Sequence, residues 1–342
     1  MSMESETRPA KPTRGQVYLG VGGIALAVAG FLWPGVMIEM ARFVATSFVV
    51  IAPLVIPGIL LAAWIIASGA DSHVARIFEA NPTRAVVAAA SIGAVTPVCG
   101  VTVLPLMAGL LAARVPLAPV MAFWLSSPVT DPAMLATTAA TLGLSFAIGK
   151  TVAALFLGLM GGVVTGFVSR QPWATSPLRD NKIVAAIIAG RCGADRPYMG
   201  AIWRDGERRA AFRTQAIATS RLMLICLTPA FAAEFLLNAW LDPEALSGVL
   251  GSDSAWAIPL AVTVGAPAYL DGYAALPLAR GLMAHGMSPG AAMGFLVSGG
   301  VISIWGAMAI FPVLRLKPFL LYLVLAVVGS LIVAYAFEFI MM

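Results

Sequence analysis

Residues 96–105 read TPVCGVTVLP and interrupt a 29-residue apolar run from Ala85 to Ala113. Proline removes a backbone donor and glycine resists helical order, so a helix laid through this run must break here. The chain makes a related move 172 positions later, at residues 268–277, AYLDGYAALP. In that register Gly100 meets Gly272, Pro105 meets Pro277, Leu106 meets Leu278, Gly109 meets Gly281 and Leu110 meets Leu282. Further along, Met121 meets Met293, Phe123 meets Phe295 and Ser126 meets Ser298, and upstream Pro57 meets Pro229. So many identities at one offset indicate an internal repeat. Cys99 falls on Asp271, so the two halves differ at a position where chemistry is expected.

Hydrophobic residues make up 60% of the 342 and charged residues 11%, which is more apolar surface than one soluble core of this length can bury. Apolar runs long enough to cross about 30 Å of hydrocarbon recur along the chain. Backbone groups in lipid must be satisfied within their own segment, and the Ala, Leu and Gly content favours helices over a barrel. The expected fold is an all-α polytopic membrane protein. The net charge of +5 sits in loops between apolar runs, where topology accounts for it, so nucleic acid is set aside as a partner. Cys99, Cys192 and Cys226 are too scattered to frame a disulfide scaffold. The polar first residues carry no small-residue cleavage site after their first apolar run, which argues against a secretory signal.

Charge then orients the segments. Arg8, Lys11 and Arg14 hold an N-terminal arm, residues 1–16, in the cytoplasm, ahead of an extra transmembrane helix over residues 17–42. The first repeat covers residues 43–168, and Pro53 and Pro57 predict a kink in its first helix. Residues 169–213 hold nine Lys or Arg against four Asp or Glu and belong in the cytoplasm. If the run from Ala85 to Ala113 crossed the membrane, that loop would emerge outside. If the run enters and returns as a hairpin near residues 85–113, the loop stays inside, and the charge bias selects the hairpin. The second repeat, residues 214–342, has its hairpin near residues 255–285, and three net crossings per repeat invert one half relative to the other. The expectation is two inverted-topology repeats with re-entrant or broken-helix hairpins plus one extra N-terminal helix, in a bacterial inner membrane. Lys150 is read as snorkelling at a helix end.

Inverted repeats with broken helices at matching positions place a substrate near the midplane, because unwound backbone frees amides and carbonyls that a cavity or ligand must satisfy. The first break offers Thr96, Pro97, Cys99, Gly100 and Thr102, and the second offers Tyr269, Asp271, Gly272 and Tyr273. Cys99 can bind a soft metal or metalloid, or fill space as a small apolar side chain. Asp271 is an acid inside an apolar run, which is costly to insert and usually faces a cavity, a base or a proton path; the alternative is a hydrated loop tip. Ser126, Ser127 and Asp131, with Ser298 and Ser303 in the second half, can hold a substrate or let helices approach closely. Trp124 can line a cavity or serve packing. No GxxxxGK[ST], HExxH or paired CxxC is present and two histidines give little support to a triad, so neither an enzyme nor a cofactor is expected.

The stretches TPVCGVTVLPLMAGLLAARVPLAPVMAFWLSSPVTDP and APAYLDGYAALPLARGLMAHGMSPGAAMGFLVSGG resemble the predicted-permease family that includes the organoarsenical efflux permeases. The resemblance spans the central parts of both repeats and implies a transporter, export as the direction and metalloid or metal cargo. Arsenical-handling members are expected to carry Cys-x-Cys after the first Thr-Pro and a further cysteine in the second repeat. Cys99 matches the first of these, Val101 stands at the second and Asp271 at the third. The expected function is a secondary-active permease that moves a small molecule or ion across the lipid bilayer by alternating access, with Asp271 as a coupling site. A channel-like pore, or a membrane subunit that meets a partner through the basic loop, are the alternatives. A homo-oligomer is compatible with either.

Overall fold

Helix ends fall on residues whose chemistry announces them. The structure, a computed structural model, describes residues 33–70, 81–96, 103–112, 115–181, 184–185, 198–240, 256–266, 275–302, 307 and 310–342. Pro34 opens α1, Pro34–Ser68, and Gly69 closes it in the left-handed region at φ 75°, its N–H donating to the carbonyls of Ile65 and Ile66. Asn81 caps α2, Pro82–Val95, by accepting from the Arg84 amide, and the helix stops at Thr96, the residue before Pro97. Helix α3, Val103–Ala112, resumes past the break, and α4, Leu117–Ser126, follows. A turn then leads to Asp131, whose Oδ1 accepts from the Ala133 and Met134 amides at 2.8 and 3.0 Å and caps α5, Pro132–Leu142. Gly143, at φ 96°, separates α5 from α6, Leu144–Val168. The later helices are α7, Gly206–Trp240, α8, Ala257–Gly265, α9, Ala275–Ala284, α10, Pro289–Ile302, and α11, Leu316–Met341. Leu178 and Leu314 form an isolated antiparallel bridge.

Among the described residues three stretches are long and apolar enough to cross a membrane: Pro34–Pro53, Leu144–Val168 and Leu316–Met341. The 25 residues of α6 rise roughly 37 Å at about 1.5 Å each, against about 30 Å of hydrocarbon. The expected division between residues 42 and 43 falls inside α1, because no proline follows Pro34 until Pro53 and the helix runs through. The expected arm and most of the extra helix lie outside the described residues. Lys150 is not at a helix end: it sits within α6 at 3% exposure, on the face that packs inward.

The helices recur in the register of the sequence repeat. Adding 172 to the bounds of α1 gives 206 and 240, the bounds of α7. The same step takes 103 and 112, the bounds of α3, to 275 and 284, the bounds of α9, and the first residue of α6 to the first of α11. Counterparts also lie head to tail against each other. Between α1 and α7, Phe43 meets Phe235 with ring centroids 5.8 Å apart and Phe48 meets Phe231 at 5.3 Å, while Arg208 Nη1 donates to the Ser68 carbonyl at 2.8 Å. As one residue number rises the other falls, so the pair is antiparallel. Helices α6 and α11 follow suit, with Phe146 on Phe337 at 4.8 Å and a Cβ placed on Gly329 lying 3.2 Å from Leu157 Cγ.

Small residues set how closely the helices cross. Ala122 of α4 faces Gly162 of α6, and at the equivalent crossing Gly294 of α10 faces Ala334 of α11; an added Cβ would meet the alanine methyl at 2.9 Å in both places. One methyl is present at each crossing, carried by opposite partners. Helix α2 also runs against α6, Val86 beside Gly162 and Ala90 beside Gly158, so α2 starts next to the end of α6. Leu111 and Val115, at and just after the end of α3, line a cavity of about 650 Å³ together with Ser169 and Ala174–Leu178. The start of α2 and the end of α3 therefore both lie near the end of α6.

Candidate functional site

Both breaks start from equivalent footings. Gly93, three residues before Thr96, lies so close to α4 that a Cβ there would come within 2.0 Å of Ser126 Oγ and 2.8 Å of the Phe123 carbonyl oxygen. Its counterpart Gly265, the last residue of α8, would meet Ser298 Oγ and the Phe295 carbonyl oxygen, each at 2.6 Å. Ser126 and Ser298 are fully buried, and their hydroxyls donate to the carbonyls of Phe123 and Phe295 at 3.1 and 3.3 Å. The sequence leaves open whether these serines hold a substrate or allow close packing; here each bonds back to its own helix opposite a glycine.

Just past these serines the two halves touch. A Cβ on Gly300 would sit 2.8 Å from the carbonyl oxygen of Pro128, and Gly300 and Pro128 are counterparts at the 172-residue offset. A residue in contact with its own counterpart marks the line on which the halves join, and Leu157 with Gly329 marks the same line. Beside it lie Trp124, Ser127 and Thr130, at 1%, 3% and 4% exposure, and Trp124 Nε1, Ser127 Oγ and Thr130 Oγ1 have no hydrogen-bond partner among the described residues. A buried donor left unpaired costs about 1–3 kcal/mol. The Trp124 indole stacks on Tyr322 with centroids 4.5 Å apart and planes at 20°, and the Tyr322 hydroxyl donates to the Val301 carbonyl. Lys150 is the counterpart of Tyr322. Gly158 of α6 packs on Ser126, so Lys150, about 12 Å earlier along α6, lies beyond Ser126 in the direction the chain takes toward Thr130.

Of the residues singled out in sequence, Thr96, Ser126, Ser127, Asp131 and Ser298 are described. The Thr96 hydroxyl returns to the Ile92 carbonyl, and Asp131 is held by its capping bonds to α5. Pro97, Cys99, Gly100, Thr102, Tyr269, Asp271, Gly272, Tyr273 and Ser303 lie outside the described residues. Among the described residues no group of three His, Cys, Asp or Glu side chains is placed to hold a metal ion; Cys99, the candidate soft-metal ligand, is not one of them. Tyr322 and the inward-facing Lys150 escaped the sequence reading. The repeat register holds a signal for both, since it aligns them with each other at polar positions inside apolar runs.

Residues 37–339, most of the chain, match the family described as predicted permease. The chain belongs to this predicted-permease family. The permease is also 23% identical over 328 residues to UPF0718 protein MJ0584 of Methanocaldococcus jannaschii, an alignment covering 81% of this chain and 90% of that one. No solved structure matches it. Family and apolar helices together make the permease a membrane protein and point to transport rather than catalysis.

Proposed function

We propose that this permease is a secondary-active transporter of the bacterial inner membrane that exports a small solute by alternating access of two inverted repeats. The observation that carries the reading is the antiparallel packing of counterpart helices, α1 on α7 and α6 on α11. Two halves related in this way have two equivalent tilts, one open to each side, which is the mechanical requirement of a carrier. The placing of the start of α2 and the end of α3 near the end of α6, where the basic loop begins, supports a re-entrant hairpin with that end in the cytoplasm. The two broken segments start from Gly93 and Gly265, beside Ser126 and Ser298 and next to the Pro128–Gly300 contact, which supports a shared midplane site for the residues that follow.

In this reading Asp271 carries the coupling proton and Cys99 faces it from the other half. Family resemblance suggests metalloid cargo, and Cys99 alone supplies one thiolate where a trivalent arsenical prefers two or three. The test is transport by the purified full-length chain in proteoliposomes under an imposed pH gradient, with a trivalent methylarsenical among the candidate cargoes. Asp271→Asn is expected to abolish gradient-driven flux while the protein stays folded; pH-dependent flux unchanged in that variant sinks the proton role. Cys99→Ser separates a required thiolate from a space filler. Ohmic currents in place of saturable flux would convert the carrier into a pore.

A further inference from the structure

We infer that Trp124, Ser127 and Thr130 form a donor set that binds a hydrogen-bond-accepting group of the cargo, an oxyanion or carboxylate, where the two halves meet. The inference rests on the transport reading above and assigns a chemical class to its site. Helical geometry continues through Ser127, at φ −64° and ψ −36°, so Trp124 and Ser127, three residues apart, share a face with about 5–6 Å between their Cβ atoms. The Val129 amide bonds back to the Ser126 carbonyl and carries the turn on to Thr130. All three side chains are more than nine-tenths buried and all three polar atoms are unpartnered among the described residues. An indole N–H donates only, so whatever satisfies Trp124 must accept, which a metal ion or a quaternary ammonium group does not. Tyr322 walls the indole from one side, and its hydroxyl, committed to Val301, does not compete. The neighbouring carboxylate, Asp131, is already engaged by two amides at the positive end of α5. The set is closed in this conformation, with Gly300 seated on the Pro128 carbonyl, and the parting of halves that alternating access demands is what opens it.

Nature tolerates unpaired buried donors where a ligand pairs them, and this sets up opposite effects on stability and binding. The full-length permease in detergent is melted with and without methylphosphonate, inorganic phosphate, acetate and tetramethylammonium. The wild type is expected to gain thermal stability saturably with methylphosphonate and not with tetramethylammonium. Ser127→Ala and Thr130→Val remove a donor and keep the shape; without ligand they are expected to melt at or above the wild-type temperature, while methylphosphonate affinity falls about three- to tenfold in each. Trp124→Phe retains an aromatic ring for the Tyr322 stack and is expected to lose affinity to the same degree. If both hydroxyl variants melt below wild type in the absence of ligand, the hydroxyls are structural and the inference is overturned. It is equally overturned if neither oxyanion nor acetate moves the wild-type melting temperature. Binding and melting are read without flux, so failure of the transport reading in proteoliposomes is scored separately.

Discussion

Replacing Gly93 by alanine sets two effects against each other that the structure allows to be weighed. Alanine in place of glycine inside a helix is worth about 1 kcal/mol from backbone entropy alone. Against it, the new methyl lands 2.8 Å from the Phe123 carbonyl oxygen, where ordinary contact begins at 3.4 Å, so α2 and α4 must part by 3.4 − 2.8, or about 0.6 Å, since neither side is a rotatable group. The methyl also falls 2.0 Å from Ser126 Oγ, which can turn away only by giving up its bond to Phe123, at a net cost of about 1 kcal/mol. Overpacking of this kind costs about 1–3 kcal/mol. The sum favours a net loss of about 1–3 kcal/mol. The measurement is the midpoint of heat-induced aggregation of the detergent-solubilised protein, and Gly265→Ala should behave as its twin because its Cβ meets Phe295 and Ser298 in the same way. Gly166→Ala and Gly281→Ala, where an added Cβ has nothing within 4 Å, serve as controls that keep or raise the midpoint. If Gly93→Ala melts with or above Gly166→Ala, the close crossing of α2 on α4 is wrong and with it the footing of the first break.

Other perturbations address the ends and caps. Arg208, at 2% exposure, places its guanidinium on the last carbonyls of α1, so Arg208→Ala should cost about 2–3 kcal/mol in the same melting assay, charge-assisted bonds being worth about 1.5–3 each; an unchanged midpoint would remove the clasp. Asp131→Asn preserves the capping oxygen and should leave both melting and flux near wild type, whereas Asp131→Ala should lose about 1 kcal/mol; flux abolished in the asparagine variant would show that the charge itself is needed. Leu178→Cys with Leu314→Cys, in a background without the native cysteines, should form a disulfide under mild oxidation, read as protection from a bulky maleimide. The loop after α6 and the loop before α11 are laced there by Arg179 N–H to Val313 at 2.9 Å and Arg315 N–H to Pro177 at 2.8 Å, and full maleimide labelling after oxidation would contradict that pairing.

The helical class, the end of α2 ahead of Pro97 and the 172-residue register of the helix bounds were legible in the sequence, because the residue before a proline disfavours helix and identities at one offset need no structure to be counted. Burial was not. Helix α10 is apolar on every side, so no polar face distinguishes inward from outward, and Ser298 on its inner side reads like any small residue. Lys150 suffers from the same silence in α6: near the start of an apolar run a lysine suggests an interface anchor, and only the packing of α6 on α4 and α11 turns it inward. Asp131 was legible in principle, since Asp-Pro ahead of an apolar run is a helix start, but an acid amid apolar neighbours draws attention to charge before it suggests a cap. In the second half the sequence singles out Asp271, which lies outside the described residues.

The contact of Leu157 with Gly329 shows what one chain can do that two identical halves cannot. In a symmetric dimer of identical halves, the residue on the axis faces a copy of itself, so a bulky side chain there meets another bulky one and a glycine meets a gap. Complementarity on the axis, large into small, is open only to halves that can differ. Halves joined in a single polypeptide have that freedom, and this molecule uses it where the Leu157 side chain faces Gly329. At that contact the first half carries the knob and the second the hole, so a self-paired copy of either half would be misfitted there.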